Sequence, residues 1–194
     1  MPGRQYRHVH YIVDRGAEMT TGVYKHHGRL ERDDIVEFGP IRVTSMARTV
    51  ADLACAGDFA EALVVLDCGL RLGLNRGDLL VQVDRLSGSP GVTTFRNALG
   101  YADGKSESVG ESISRARMIE MGDIPLPRLQ HEFWSSGGVF LARADFDWKG
   151  RVIGEFDGKG KYTATAASSD PARAGFPSEH RHYNPGIRSK SLQR

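Results

Sequence analysis

Residues 144–158, with the sequence ADFDWKGRVIGEFDG, decide the fold of the later part of the chain. On both sides of Lys149-Gly150, acidic residues alternate with apolar or small ones. A period of two is typical of a strand with one buried face. A short turn that contains glycine joins two such strands as an antiparallel hairpin. We therefore expect strands at 139–148 and 152–157, connected by this turn.

Carboxylates recur along this hairpin. Asp145 and Asp147 lie two residues apart on the first strand, and Glu155 and Asp157 lie two apart on the second. Residues two apart share a face of the sheet, and the hairpin would place the two acidic pairs side by side. Such a face is repulsive unless a cation is bound. Phosphodiester cleavage uses clustered carboxylates to hold Mg²⁺, so the pattern predicts a metal site; the alternative is an exposed face whose acids have no function.

A helix is expected before the hairpin, capped by Ser106 or Ser108 and closed by Gly122, with a strand at 129–134 after it. Its start carries Glu107 and Glu111, one turn apart, where like charges cost about 0.2–0.5 kcal/mol. That cost favours a ligand role for Glu111. In the alternative interpretation, Glu107 interacts with the helix dipole and Glu111 pairs with Arg115.

Residues 44–101 show helical spacing of apolar residues, with capping residues before each run, and predict a small helical layer whose leucines form its core. Short strands are expected at 8–13 and 22–27. The histidines there, His8, His10, His26 and His27, are interpreted as side chains of solvated strands rather than as a metal cluster.

Three segments follow from these patterns. We expect a strand-and-helix unit at 1–103, a helix followed by an antiparallel meander at 104–162, and a tail at 163–194 that lacks periodicity and is interpreted as disordered. The fold class is α+β.

Composition narrows the class of protein. With 40% hydrophobic residues and no apolar run near the roughly 20 needed to cross a bilayer, the chain is expected to be globular and cytoplasmic, with no membrane partner. The cysteines Cys55 and Cys68 have no neighbours at metal-ligand spacing and are expected to be small core residues. The net charge of +2 does not by itself indicate nucleic-acid binding.

Five short strings, taken in order, resemble a Vsr-like endonuclease domain of the PD-(D/E)XK superfamily. They are SESVGES at 106–112, IPLP at 124–127, LQ at 129–130, ADFDW at 144–148 and GEFDG at 154–158. The preceding residues 43–54 are similar to the helical region of actinobacterial AbiEi-like antitoxins and regulators. The resemblance covers residues 8–162.

This resemblance implies a Mg²⁺-dependent site acting on DNA. It makes Glu111 the helix carboxylate near the metal, Asp145 the central ligand and Glu155 the second strand ligand. Asp157 stands where the superfamily usually has a lysine, so that lysine's role is unassigned, with Lys159 and Lys161 as candidates. A competing assignment uses Asp147 together with Asp157 and Lys159.

The chain also departs from that pattern. It shows neither a winged helix before residue 8 nor a charged helix after residue 162, and the change in composition there indicates a frameshift. We therefore expect an incomplete nuclease unit, truncated at both ends, with activity reduced or lost. The alternatives are a non-catalytic DNA-binding regulator, a type IV antitoxin-like protein and a gene remnant.

Overall fold

The computed structural model describes residues 9–13 and 22–157, and the backbone of residues 187–191. The fold is α+β, as the sequence predicts. The elements, in chain order, are β1 Val9–Val13, β2 Val23–His27, β3 Ile35–Phe38, β4 Ile41–Thr44, α1 Met46–Ala56, α2 Phe59–Arg71, α3 Arg76–Arg85, α4 Val92–Tyr101, α5 Val109–Met121, β5 Arg128–Trp134, β6 Phe140–Trp148, β7 Val152–Phe156 and β8 Ile187–Ser191.

Two compact units divide the chain, one formed by residues 1–49 and the other by residues 50–194. The boundary expected at residues 103–106 therefore does not separate two units. Residues 103–106 are polar and form a turn, but the helices on either side of them belong to the same unit.

The first unit contains two small sheets. β1 pairs with β2 in parallel, and β3 pairs with β4 as an antiparallel hairpin. A buried ion pair joins Arg48 to Asp34 at 3.1 Å. His10 and His26 are exposed, with His10 Nδ1 2.8 Å from His26 Nε2, whereas His8 lies outside the described residues.

The helical layer of the second unit forms where the sequence predicts it. The Asp58 side chain accepts a hydrogen bond from the Glu61 backbone and caps α2, while Asn75 caps α3. Its core consists of fully or almost fully buried apolar side chains, the largest of which are Leu63, Leu66, Leu79, Phe95 and Leu99. Burying a side chain of this size contributes roughly 1.5–3 kcal/mol, so the leucine stripe is core, as expected.

A buried ionic network connects α2 to α5. Arg115 on α5 donates to Asp67 on α2 at 2.9 Å and also to the Tyr101 carbonyl. Ser112 donates to the same Asp67 carboxylate at 2.7 Å. The alternative interpretation, in which Glu111 pairs with Arg115, is therefore wrong, because Arg115 turns toward the helical layer. The network also explains why residues 103–106 are not a domain boundary.

The four-stranded sheet has the order β5-β6-β7-β8, with every neighbouring pair antiparallel. This order confirms the meander expected after α5. At the β6–β7 turn, Lys149 and Gly150 have φ values of 56° and 69°, as a type I′ turn requires. The expectation of disorder does not hold for residues 187–191, whose backbone pairs with β7; the other tail residues lie outside the described part.

Apolar side chains fill the space between α5 and this sheet. Met118 on α5 packs with Leu129 and Phe146, and Trp148 and Phe156 cover them. This small core fixes the distance between the N-terminal end of α5 and the carboxylates of the sheet. Among the described residues, none of the helices is long and apolar enough to span a bilayer.

Candidate metal centre

Asp145 lies where the ladder between β6 and β7 opens. The ladder runs over three residue pairs, from Trp148–Val152 to Phe146–Gly154. Beyond it, the Phe156 backbone N–H donates to Asp145 Oδ2 at 2.8 Å. Asp145 is partly buried. The carboxylate thus accepts a hydrogen bond from a backbone N–H of the neighbouring strand, just beyond the end of the β6–β7 ladder.

Glu111 reaches the same region from the first turn of α5. Ser108 caps the helix by accepting from the Glu111 N–H at 3.2 Å, and its hydroxyl donates to Glu111 Oε1 at 2.7 Å. The Glu107 N–H donates to Glu111 Oε2 at 2.9 Å. With its carboxylate held by these donors and only 7% of the residue exposed, Glu111 is fixed in place. A cap residue and the helix that it starts therefore position the first acid.

A close contact between α5 and β7 sets the depth of Glu111. A Cβ added at Gly110 would lie 2.1 Å from two ring carbons of Phe156, far inside van der Waals contact. Only glycine allows the helix to approach the strand this closely. The glycine preceding Glu111 is therefore part of the geometry that brings the two acids together.

Gln130 joins the two acids directly. Its side-chain Nε2 lies 2.9 Å from Glu111 Oε2 and 3.1 Å from Asp145 Oδ1, so one amide group donates to both carboxylates. Its Oε1 is buried and accepts no hydrogen bond from any residue that the structure describes. The acidic pattern does not mark this residue, and its signal in the sequence is its place in one of the strings that carry the resemblance.

Asp147 does not belong to this site. It is completely buried and accepts hydrogen bonds from Arg128 Nε at 2.7 Å and from the Gly150 N–H at 2.7 Å, at the β6–β7 turn. His131 Nε2 lies 3.9 Å away. One carboxylate oxygen of Asp147 therefore supports the β6–β7 turn, and the other pairs with Arg128 on the neighbouring strand β5. This placement disfavours the assignment that uses Asp147 as the metal ligand, and Lys159 of that assignment lies outside the described residues, as does Lys161.

The remaining predicted acids lie on β7, just after it, and just before α5. Glu155 would oppose Asp145 if the β6–β7 register were extended by one residue, and Asp157 follows the end of β7. Both are partly buried. Glu107 precedes α5 and pairs with Arg143 at 2.9 Å. Contrary to expectation, Glu107 is not helical, so it does not share a helix face with Glu111.

Carboxylate and amide oxygens are ligands that Mg²⁺ and Mn²⁺ prefer. The structure supplies two such carboxylates, and Gln130 turns its nitrogen toward them while its buried oxygen has no hydrogen-bond partner among the described residues. Within residues 9–13 and 22–157, no group of three or more His, Cys, Asp or Glu side chains is gathered as a metal site. The structure thus brings together Glu111 and Asp145, and it does not gather the four predicted carboxylates into one cluster.

Comparisons with known proteins give relatives but no activity. No protein-family model matches the chain, and no solved structure matches it. It is similar to two uncharacterized proteins of Mycobacterium tuberculosis, one from each of two strains; each is 32% identical over 154 residues, which are 76% of this chain and 54% of the relative. The chain therefore spans about half the length of the curated relatives that it matches, and their names assign no chemistry to it.

Proposed function

We propose that this chain is a metal-dependent DNA endonuclease-like protein in which Glu111 and Asp145 hold Mg²⁺. The observation that supports it best is the shared donor: Gln130 Nε2 lies within 3.1 Å of an oxygen of each carboxylate. Two acids from different elements are thus held within reach of one small positively polarised group. The reaction class comes from the resemblance to Vsr-like domains, and we propose that the chain is related to them. We also propose that the preceding helices are related to those of AbiEi-like proteins.

Each acid has a distinct part in this proposal. A bound divalent cation would neutralise charge that develops on a phosphate group during cleavage. Glu111 and Asp145 would hold the cation, since Ser108 and the Phe156 N–H fix their carboxylates. Glu155, which an extended β6–β7 register would place opposite Asp145, is the further strand ligand that the resemblance implies. Asp157 replaces the usual lysine, which leaves the orientation of an attacking water without a basic side chain at that position.

Plasmid nicking tests the proposal. Supercoiled DNA is incubated with the full chain and Mg²⁺, and the open-circular product is quantified. We expect Asp145→Asn and Glu111→Gln each to lower the nicking rate by at least 100-fold, with Asp123→Asn, at an exposed acid in the α5–β5 connection, as the matched control. Nicking that survives both site substitutions would refute the assignment of these acids.

A second candidate function is a DNA-binding regulator or antitoxin-like protein that does not cut. It is favoured by the absence of a gathered group of three acidic or histidine ligands among the described residues and by the acid at position 157. A mobility-shift titration separates the two. Retarded DNA that is unaffected by chelator and by Asp145→Asn, together with no nicking by the wild type, would establish binding without cleavage.

A further inference from the structure

We propose that Gln130 is a ligand of the same cation, and that its side-chain amide turns over when the cation binds. The inference rests on the proposed function in one respect, namely that Glu111 and Asp145 hold a divalent cation. It adds a third oxygen donor that neither the acidic pattern nor the resemblance assigns. The cation class is a hard divalent ion such as Mg²⁺ or Mn²⁺.

The side-chain amide of Gln130 bridges the two acids. Its Nε2 donates to Glu111 and Asp145 together, so this end of the amide lies beside both carboxylates, where a further ligand of a shared cation would stand. A cation bound to both carboxylates would face the two N–H groups of this amide, whose hydrogens carry partial positive charge and therefore repel it. The amide must then move away or present its other end. Rotation about the last side-chain bond exchanges nitrogen and oxygen without moving the rest of the residue.

The other end of the amide is available for this exchange. Gln130 Oε1 is buried and accepts no hydrogen bond within the described part of the chain. A buried acceptor without a donor is unfavourable, and most such groups in proteins are paired. Turning the amide brings this oxygen to the cation, where it becomes a ligand. The two orientations thus fit two states of one site.

The backbone at Gln130 is specialised as well. Its φ is 49°, which is uncommon for a residue other than glycine. In the β5–β6 register, Leu129 pairs with Phe146 and His131 with Ala144, so Gln130 lies opposite Asp145, although these two residues are not themselves a backbone pair. Such a conformation is unfavourable, and it persists only where surrounding structure enforces it. Here it holds the amide between the two acids.

Calorimetric titration with Mn²⁺ tests the inference on full-length variants. Gln130→Met keeps the length of the side chain and removes the oxygen; we expect its Mn²⁺ affinity to fall at least 10-fold. Gln130→Glu keeps an oxygen and removes the donor; we expect it to bind as tightly as the wild type or more tightly at neutral pH. Unchanged affinity in Gln130→Met, or a loss of affinity in Gln130→Glu equal to that in Gln130→Met, would overturn the ligand role.

Two controls separate this inference from the proposed function. Asp145→Asn should abolish Mn²⁺ binding, while Asp123→Asn should leave it unchanged. If the wild type binds no Mn²⁺, or if Asp145→Asn binds as well as the wild type, the proposed function itself fails and takes the inference with it. If these controls behave as expected and Gln130→Met still binds normally, the inference alone fails.

A measurement on the unmodified protein covers the case in which Gln130 variants do not fold. The side-chain amide signals of Gln130 are followed by ¹⁵N-resolved NMR while Mg²⁺ is added. We expect both proton shifts to change along the binding curve because the amide loses its two carboxylate acceptors. Amide signals that stay in place at saturating Mg²⁺ would contradict the turnover.

Discussion

Glu111 and Asp145 accept hydrogen bonds from one nitrogen, Nε2 of Gln130, at 2.9 and 3.1 Å. The first acid begins a helix and the second lies in a strand, so their meeting depends on how α5 packs on the sheet. That packing is set by contacts that can be changed one at a time. Substitutions can therefore distinguish residues that build the site from residues that only stabilise the fold around it.

Gly110→Ala should destabilise the protein and disturb the acidic pair. The new methyl group would overlap the Phe156 ring, so α5 must move away from β7. We expect the free energy of unfolding to fall by about 1–3 kcal/mol, a usual cost of overpacking. Urea denaturation measures the change.

The matched control for that substitution is Gly100→Ala in α4, where nothing lies within 4 Å of the added Cβ. There the alanine should stabilise the protein by up to about 1 kcal/mol, because glycine is a poor helix former. If both alanines had the same effect, the Gly110–Phe156 contact would not limit the approach of α5.

Arg128→Ala should lower stability without changing affinity for Mn²⁺. Asp147 is completely buried, and removing Arg128 leaves its charge with the Gly150 N–H as a remaining donor. An incompletely paired buried acid costs about 1–3 kcal/mol, although the Arg128 side chain is itself half exposed. Asp145→Asn should show the reverse pattern, with lost Mn²⁺ binding and a smaller change in melting temperature. Reduced Mn²⁺ affinity in Arg128→Ala would place Asp147 in the site after all.

Asp67 should titrate above its ordinary range. Burial raises the pKa of Asp67 from 3.8, and the nearby Arg115 charge opposes this shift only in part. Because the folded protein holds the proton more tightly than the unfolded chain, the contribution of Asp67 to stability is greatest at low pH. It is lost as pH rises through the folded-state pKa. Carboxyl ¹³C NMR should give a midpoint above 3.8 for Asp67.

Asp67→Asn supplies the thermodynamic counterpart. It should remove that descending component from the pH dependence of unfolding, and it should cost about 3–5 kcal/mol at neutral pH because Arg115 loses its buried partner. A pH profile that is the same in wild type and variant would contradict the raised pKa.

Lys149→Asn should stabilise the β6–β7 hairpin. Lysine adopts a φ of 56° at this turn position, and asparagine tolerates that conformation better. We expect a gain of about 0.5–1 kcal/mol in the free energy of unfolding. Arg151→Asn, at the next non-glycine position of the turn, is the control and should bring no such gain.

Local sequence patterns predict most of the helices and strands. Ser108, Asn75 and Asp58 are followed by helices because their side chains satisfy the first N–H groups, and that chemistry is visible in a few residues of sequence. The turn at Lys149-Gly150 and the alternation around it likewise predicted the meander. Such features depend on neighbours in the chain, which the sequence displays directly.

Long-range pairings were not visible in this way. Arg115 has Glu111 four residues before it, yet it pairs with Asp67 from a distant helix. Asp147 belongs to the same alternating acidic pattern as Asp145, but its side chain pairs with Arg128 and does not join the site. Gln130 lacks any charge that would mark it, and its importance arises from a strained backbone and two acceptors in other elements. Which donor meets which acceptor is settled by packing, so these roles required the structure.

The opening of the ladder beside Asp145 gives the site a built-in reporter. Since the Phe156 amide proton is held by the Asp145 carboxylate, its exchange with solvent should depend on whether that carboxylate is free to accept. Any ligand that draws the carboxylate toward itself should speed exchange at Phe156 more than at Gly154 within the intact ladder. A single backbone position could therefore register occupancy of the site in an otherwise unlabelled chain.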